Sequence, residues 1–395
     1  MVTIRMFFSQ VSILMVFLVS CTSQVKDIDN LVSTVRDRFT PDARTGIFDI
    51  KVQKEFREFT LTGETDQPEA IDALTDSLER LHIIYSNRVL ILPEKQLGEL
   101  IWGIVNVSVS NIRRNPAHSA ELVTQANLGT IVKVLKKSGN WFLVQTPDRY
   151  LGWTDSGGFI PKTVEEIRTY NKRGKIFFTG IYGFSYTEPA EGSTTVSDLT
   201  SGNILILEDS IDHYYKISYP DGRKGYAKKS ESVLFSEWIR KTSLDGEELT
   251  STALKLLGVP YLWGGTSPKA MDCSGFTKTV YFMHGLILPR DADQQMEIGL
   301  LVDEKKIFNT LKKGDLLFFG KPETDSTEER IVHVGMWIGD MQFIHASGDV
   351  HISSMDTESR IYDEYNFNRY LRTKRVIRSG EIDQLLVSRG YNQPW

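Results

Sequence analysis

Apolar positions along the chain fall into three regimes. Up to about residue 100, residues 47–52 and 56–62 alternate apolar and polar side chains, as half-buried strands do. Pro68-Glu69-Ala70 then opens a helix that places Ile71, Leu74, Leu78 and Leu81 on one face. This predicts a small α+β module without visible chemistry. From residue 105 to 236 short β-branched and aromatic runs are separated by Gly, Asp and Pro turns, and the pattern repeats. Gly129 aligns with Gly202, 73 residues on. At the same offset Pro116 meets Pro189, Ile131 meets Ile204, Trp141 meets Tyr214, Pro147-Asp148 meets Pro220-Asp221, and Gly152-Trp153 meets Gly225-Tyr226. A gap-free register of that length predicts a duplicated small β-barrel. Glu121 and Tyr150 of the first copy become Thr194 and Arg223 in the second, so the copies have diverged at positions the barrel does not fix.

The third regime begins near Ser243. Leu249, Ala253, Leu256 and Leu257 share a helical face, with Gly258 as the residue past its end and Pro260 just beyond. A second helix starts at Cys273, where Phe276, Val280 and Met283 recur at helical spacing and Gly285 stops the run. Lys313-Gly314-Asp315 turns into a buried strand, and two further strands carrying His333 and His345 flank Gly339-Asp340. Helices followed by consecutive strands predict an α+β domain with an antiparallel sheet.

A chain of 395 residues is long enough for two to four domains. A net charge of −5 without a long basic run argues against nucleic acid as a partner. Arg5 followed by the apolar stretch 6–19, broken by Ser9, Gln10 and Ser12, reads as a secretion signal, short of the roughly 20 residues of a membrane span. It ends in Leu18-Val19-Ser20-Cys21, which resembles the lipobox of bacterial lipoproteins. That resemblance implies an exported protein held to a membrane face by acyl chains on Cys21. The only other cysteine is Cys273, so no disulfide framework is possible, and no His/Cys spacing fits a zinc site. Neither metal nor cofactor is expected.

A lone thiol in an exported protein directs attention to chemistry. Cys273 falls in the first turn of its helix, where N–H groups and macrodipole favour negative charge. The expectation is a thiol pKa lowered from about 8.5 toward roughly 3.5–7.5. A cysteine nucleophile needs a base and a group to orient that base. His333 and His345 are the candidates, His333 to take the proton and His345 to fix its ring. Their even spacing puts both on one sheet face only if the hairpin loop is odd. A Gly339-Asp340 turn would oppose them, whereas a three-residue Gly339-Asp340-Met341 loop aligns them, and the odd loop is predicted. Met341 stands where a left-handed glycine would suit such a hairpin. His284 and His351 are expected to be solvated.

Asp272-Cys273-Ser274-Gly275-Phe276, Gly314-Asp315-Leu316, His333-Val334-Gly335 and Phe343-Ile344-His345-Ala346, in that order, resemble the NlpC/P60 cysteine peptidases. These are papain-like enzymes of bacterial cell-wall turnover, and the likeness spans roughly 244–395. The closing Gly-aromatic pair and length of each repeat resemble bacterial SH3-like domains. Two such domains ahead of the third, with Tyr261, Trp263 and Pro289-Arg290-Asp291-Ala292-Asp293, resemble the YkfC-type subgroup. The implied division is a lipoprotein signal peptide (1–20), a tether and α+β module (21–104), SH3-like barrels at 105–165 and 174–236, and a peptidase domain at 244–395. The resemblance implies Cys273 as nucleophile, His333 as base and His345 as orienter. Tyr261, Trp263, Asp272, Ser274 and Asp291 would line the substrate pocket. Glu121 and Tyr150 would receive the substrate's amino terminus from the first barrel. The implied reaction is hydrolysis of the γ-D-glutamyl–diamino acid (diaminopimelate or lysine) bond in free murein peptides that begin with L-Ala. Two alternatives stay open: a murein hydrolase of intact wall with the barrels as targeting modules, and a non-enzymatic wall-binding lipoprotein.

Overall fold

The structure is a computed structural model that describes residues 26–55 and 58–376, so Cys21 lies outside the described residues. The chain divides after Leu97 into two compact units. In the first, helix α1 (residues 26–39) and α2 (Pro68–Arg80) cover one face of a sheet of β1 (Phe48–Glu55), β2 (Glu58–Thr65) and β3 (Tyr85–Ile91). β1 and β2 pair antiparallel and β2 and β3 pair parallel, with α2 as the crossover. Ile71, Leu74 and Leu78 are buried, but Leu81 is not, because α2 ends at Arg80 and His82 turns the chain away at φ 54°.

The second unit opens with two seven-stranded antiparallel sheets. The first comprises β4 (Trp102–Val105), β5 (Val109–Arg113), β6 (Leu122–Asn127), β7 (Ile131–Ser138), β8 (Trp141–Gln145), β9 (Leu151–Asp155) and β10 (Phe159–Lys162). A helix α3 (Val164–Lys172), begun by a Thr163/Glu166 capping box, leads to the second sheet. This holds β11 (Lys175–Phe178), β12 (Tyr182–Tyr186), β13 (Thr195–Thr200), β14 (Ile204–Ile211), β15 (Tyr214–Ser218), β16 (Lys224–Lys228) and β17 (Ser232–Leu234). The strand orders, β10-β4-β7-β8-β9-β5-β6 and β17-β11-β14-β15-β16-β12-β13, match strand for strand. The offset of 73 residues links the start of every strand to its counterpart. It also links the bulges, at Val134/Lys136 and Leu207/Asp209 and at Ile112/Arg113 and Ser185/Tyr186. Duplication thus extends to the irregularities, which set local twist. The sheets abut: Ile204 N donates to Leu128 O at 2.9 Å, and Asn203 Nδ2 to Ser108 O at 2.8 Å.

After α4 (Phe235–Lys241) comes α5 (Gly246–Leu254), capped by the Asp245 carboxylate. It is one turn shorter than its apolar pattern implies, so Leu257 is exposed while Leu249, Ala253 and Leu256 are buried. A two-stranded ribbon of β18 (Thr266–Ser267) and β19 (Ala270–Met271) delivers the chain to α6 (Cys273–Met283). A short α7 (Ala292–Met296) follows. The sheet behind them is wholly antiparallel, in the order β20 (Leu300–Asp303), β25 (Tyr370–Arg375), β21 (Leu316–Lys321), β22 (Arg330–Gly339), β23 (Gln342–Ser347), β24 (Asp349–Ser354). A short α8 (Glu364–Asn368) precedes β25. Phe276, Val280 and Tyr281 of α6 pack on Leu316, Phe318, Val334, Met336 and Ile344, all buried. α6 therefore has one fixed position against β22 and β23.

Gly129 sits at φ 83°, and a Cβ there would stand 2.2 Å from the Ile204 carbonyl oxygen. Gly139 is also left-handed, at φ 58°, but faces open space. Gly139→Ala is expected to cost about 1 kcal/mol from backbone strain, and Gly129→Ala about 2–4 kcal/mol because the sheets must also separate. Urea unfolding of the two variants checks this, and equal losses would mean the contact with β14 has no stabilising role.

Candidate active site

Cys273 is the first residue of α6, as its position before the apolar stripe predicts. Asp272 caps the helix, its Oδ1 accepting the Gly275 N–H at 2.7 Å. Gly275 is required by close approach, since a Cβ would meet the Gly265 carbonyl oxygen at 2.0 Å. The thiol is buried against β22, with the N–H groups of Val334 and Ser274 directed at sulfur. Its pKa nevertheless differs from the sequence expectation. Burial, then the Asp272 carboxylate, push it up to about 12, outweighing the backbone donors and Arg290. At rest Cys273 is a neutral thiol.

The histidines reach one face by a route other than the predicted loop. Met336 pairs with Ile344 and Trp337 with Phe343, but Gly339 pairs with Gln342, so Ile338 is an extra residue in β22. The turn itself has two residues, Asp340 and Met341, at φ 50° and 57°, as hairpin turns of this handedness need. Bulge plus even turn give the same parity as an odd loop. Met341 holds its left-handed conformation because its carbonyl accepts from Met355 N at 2.7 Å and Ser354 Oγ at 3.0 Å.

His333 Nε2 and His345 Nδ1 lie 2.8 Å apart, and His345 Nε2 lies 3.1 Å from Ser353 Oγ. Asp363 Oδ2 is 3.9 Å from the same His345 nitrogen. Burial lowers the pKa of both rings, well below the ordinary value for His333 and to about 3 for His345, so both are neutral near pH 7. One proton arrangement serves a base: His333 donates from Nε2 to His345 Nδ1, and His345 donates from Nε2 to Ser353. This leaves His333 Nδ1 unprotonated. Ser353 and Asp363 escaped the sequence reading. Ser353 was findable, because His345 pairs with His351 and the residue two further along β24 shares its face. His351 and His284 are less solvated than expected. The His351 ring packs 4.5 Å from that of His345, and His284 Nε2 lies 2.8 Å from Thr252 Oγ1.

The other predicted residues form a polar wall that the first seven-stranded sheet completes. Glu121 accepts from Trp263 Nε1 at 2.8 Å and from Arg114 Nε at 2.6 Å. These bonds hold its carboxyl below the usual range. Tyr150 donates to Asp291 Oδ2 at 2.9 Å. Tyr261 packs against the Cys273 cluster, and its phenol pKa is raised by burial. Asp272 and Ser274 are buried and joined by Arg290, whose guanidinium spans Asp272 Oδ1 and Oδ2 at 3.1 and 2.5 Å and Ser274 Oγ at 2.9 Å. Both are thus saturated from within, and Trp263 and Glu121 are the exposed members of the wall. The divergence between repeats now has a cause. Glu121 and Tyr150 face the third segment, whereas Arg223, the counterpart of Tyr150, reaches back to Asn106 O at 3.0 Å. No cluster that could hold a metal occurs among the described residues.

Comparison with known proteins agrees with this geometry. The NlpC/P60 family model matches residues 258–372, and the bacterial SH3 domain model matches residues 108–160. The chain is 32% identical over 269 residues to a protein of Bacillus cereus named gamma-D-glutamyl-L-lysine dipeptidyl-peptidase, covering 64% of this chain and 76% of that one. It is 27% identical over 275 residues to dipeptidyl-peptidase 6 of Lysinibacillus sphaericus, covering 66% and 93%. Among solved structures, an NlpC/P60 family protein from Bacillus cereus superposes with a TM-score of 0.60 at 25% identity, covering 70% of this chain and all of that one.

Neutral buried imidazoles set an acid limit on stability. The unfolded chain protonates them below about pH 6.5 while the fold resists, so their contribution is complete above that pH and is lost as pH falls toward the folded values. Each should cost about 1.4 kcal/mol per pH unit in that window. Urea unfolding at about pH 7 and about pH 5 should show a smaller loss for His345→Gln than for the unaltered protein. Parallel losses would contradict neutral burial.

Proposed function

The chain belongs to the NlpC/P60 family of cysteine peptidases, and on that premise we propose that it hydrolyses the γ-D-glutamyl–diamino acid bond of murein stem peptides. Its preferred substrates are free peptides with an N-terminal L-Ala, diaminopimelate or lysine following the glutamate, in peptide recycling. The observation that carries the reading is the wall beside Cys273 built jointly by the first sheet and the third segment, through Glu121–Trp263 and Tyr150–Asp291. A wall at that end suits a short peptide with a free terminus better than a continuous polymer.

In this mechanism His333 Nδ1 takes the Cys273 proton as sulfur attacks the γ-carbonyl carbon. With a thiol of about 12 and a neutral imidazole, transfer accompanies bond formation instead of preceding it. The backbone N–H at the start of α6 stabilises the tetrahedral oxyanion. His333 then protonates the leaving amine, and the thioester is hydrolysed by a water that His333 deprotonates. His345 keeps the His333 ring in the tautomer this needs. Glu121 receives the substrate ammonium, sharing it with the pre-existing Arg114 pair. The proposal includes a second SH3-like domain in the repeated sheet, and export with anchoring through Cys21.

The test offers L-Ala-γ-D-Glu-diamino acid peptides, their N-acetylated forms and intact sacculi to the purified protein, with products identified by mass. Free-amine peptides should be cleaved and sacculi spared. Cys273→Ala should lower kcat by about 10⁴-fold or more without moving the unfolding midpoint. Release from sacculi at a comparable rate would favour the wall-hydrolase alternative, and turnover by Cys273→Ala would end the thiol mechanism.

A further inference from the structure

A cation with no carboxylate at salt-bridge distance among the described residues acts on both histidines, its backbone two strands from that of His333. Arg369 immediately precedes β25, and its carbonyl accepts the Gly320 N–H at 2.8 Å. Tyr370 pairs with Phe319, which in turn pairs with His333. Two strand spacings of about 4.8 Å therefore separate the backbones, within reach of an extended arginine. The guanidinium donates from Nε and Nη2 to Asn366 Oδ1 at 2.9 and 2.7 Å and stands 4.2 Å from the Tyr365 ring centroid. Among the described residues it has no carboxylate at salt-bridge distance, and Nη1 makes no hydrogen bond. Asn366 is buried and also bonds Asp363, the carboxylate near His345. One amide thus fixes the cation relative to the relay.

The placement is unfavourable at rest. Arg369 is half-buried, and its charge opposes the imidazolium that His333 becomes when it takes the thiol proton. Desolvated charge of this kind is stable in a complex when an anion joins it. The site has two sides. Glu121, Tyr150, Asp272 and Asp291 form one, and no hydrogen bond or ion pair links Arg369 to them. His333 protonates the departing amine, and Arg369, whose charge acts on His333 and which makes no bond to the first side, is placed to meet the residue being released.

We propose that Arg369 is a specificity-determining residue that binds a carboxylate on the amine-side residue of the substrate. This rests on the γ-glutamyl peptidase reading above. Two carboxylates have the required chemistry: the C-terminal α-carboxylate of a tripeptide, and the side-chain carboxylate of diaminopimelate.

The experiment uses L-Ala-γ-D-Glu-lysine and L-Ala-γ-D-Glu-diaminopimelate, each as free acid and as α-amide. The unaltered protein should prefer the carboxylate-bearing peptide about ten- to a hundredfold in kcat/KM, chiefly through KM, with the preference shrinking as salt is added. If the α-carboxylate is bound, both amides lose equally. If the side-chain carboxylate is bound, the diaminopimelate amide keeps its advantage over the lysine amide. Arg369→Gln should bring the ratio close to one and Arg369→Lys should restore part of it. Equal rates for all four peptides with the unaltered protein, or a ratio retained in Arg369→Gln, would overturn the proposal while leaving the peptidase reading intact. Comparison within the unaltered protein decides the matter even if the variants fold poorly. Absence of Cys273-dependent cleavage of every peptide would remove both.

Discussion

His333 and His345 share one proton across 2.8 Å, and both rings are buried. A neutral imidazole has one N–H and one lone pair, so the direction of that single hydrogen bond decides which His333 nitrogen is free. When Ser353 accepts from His345, the donors run from His333 Nε2 outward and the lone pair is left on His333 Nδ1. Reversing the direction would leave the same fold and put the lone pair on Nε2, away from the role proposed for His333 Nδ1. The arrangement depends on Ile338, whose insertion shifts β22 by one residue relative to β23 and brings both rings to one face.

The Asp272–Arg290 pair supports the thiol side in the same way. Both residues are buried, and the guanidinium matches the two carboxylate oxygens while also holding Ser274. Asp272 meanwhile caps α6 and accepts the Gly264 N–H at 2.9 Å. Helix start, preceding loop and wall are therefore tied to one ion pair. Such a pair contributes position more than net stability, because desolvation cancels much of the attraction. Within the pair, Asp272 raises the Cys273 thiol pKa and Arg290 lowers it, so the residue that caps the helix opposes ionisation of the thiol at its first position.

Much of the architecture was legible in the sequence, for identifiable reasons. Duplication left matching turn residues, and turns tolerate few substitutes, so the 73-residue offset was readable and recurs in all seven strands. The Cys273 helix was readable because its apolar stripe begins just after the small residues at its mouth. What could not be read depended on burial or on tertiary partners. The thiol's surroundings reverse the influence of the helix terminus. The bulge at Ile338 has no local signature. Leu81 and Leu257 continue an apolar pattern past the residues where the backbone leaves the helix. Arg290 was visible only as part of a motif, and Asp363 and Arg369 reach the site from a segment with no periodic signal.

The first sheet is joined to the third segment beside α6, since Glu121 bonds Trp263 and Tyr150 bonds Asp291. The central claim is that His333 rests neutral, protonated on Nε2 and bare on Nδ1. The direct test is the ¹⁵N NMR shift of its two ring nitrogens near neutral pH, assigned by comparison with His333→Gln. A neutral Nε2–H tautomer is the expected result. A neutral Nδ1–H tautomer, or an imidazolium paired with a Cys273 thiolate, would contradict the account.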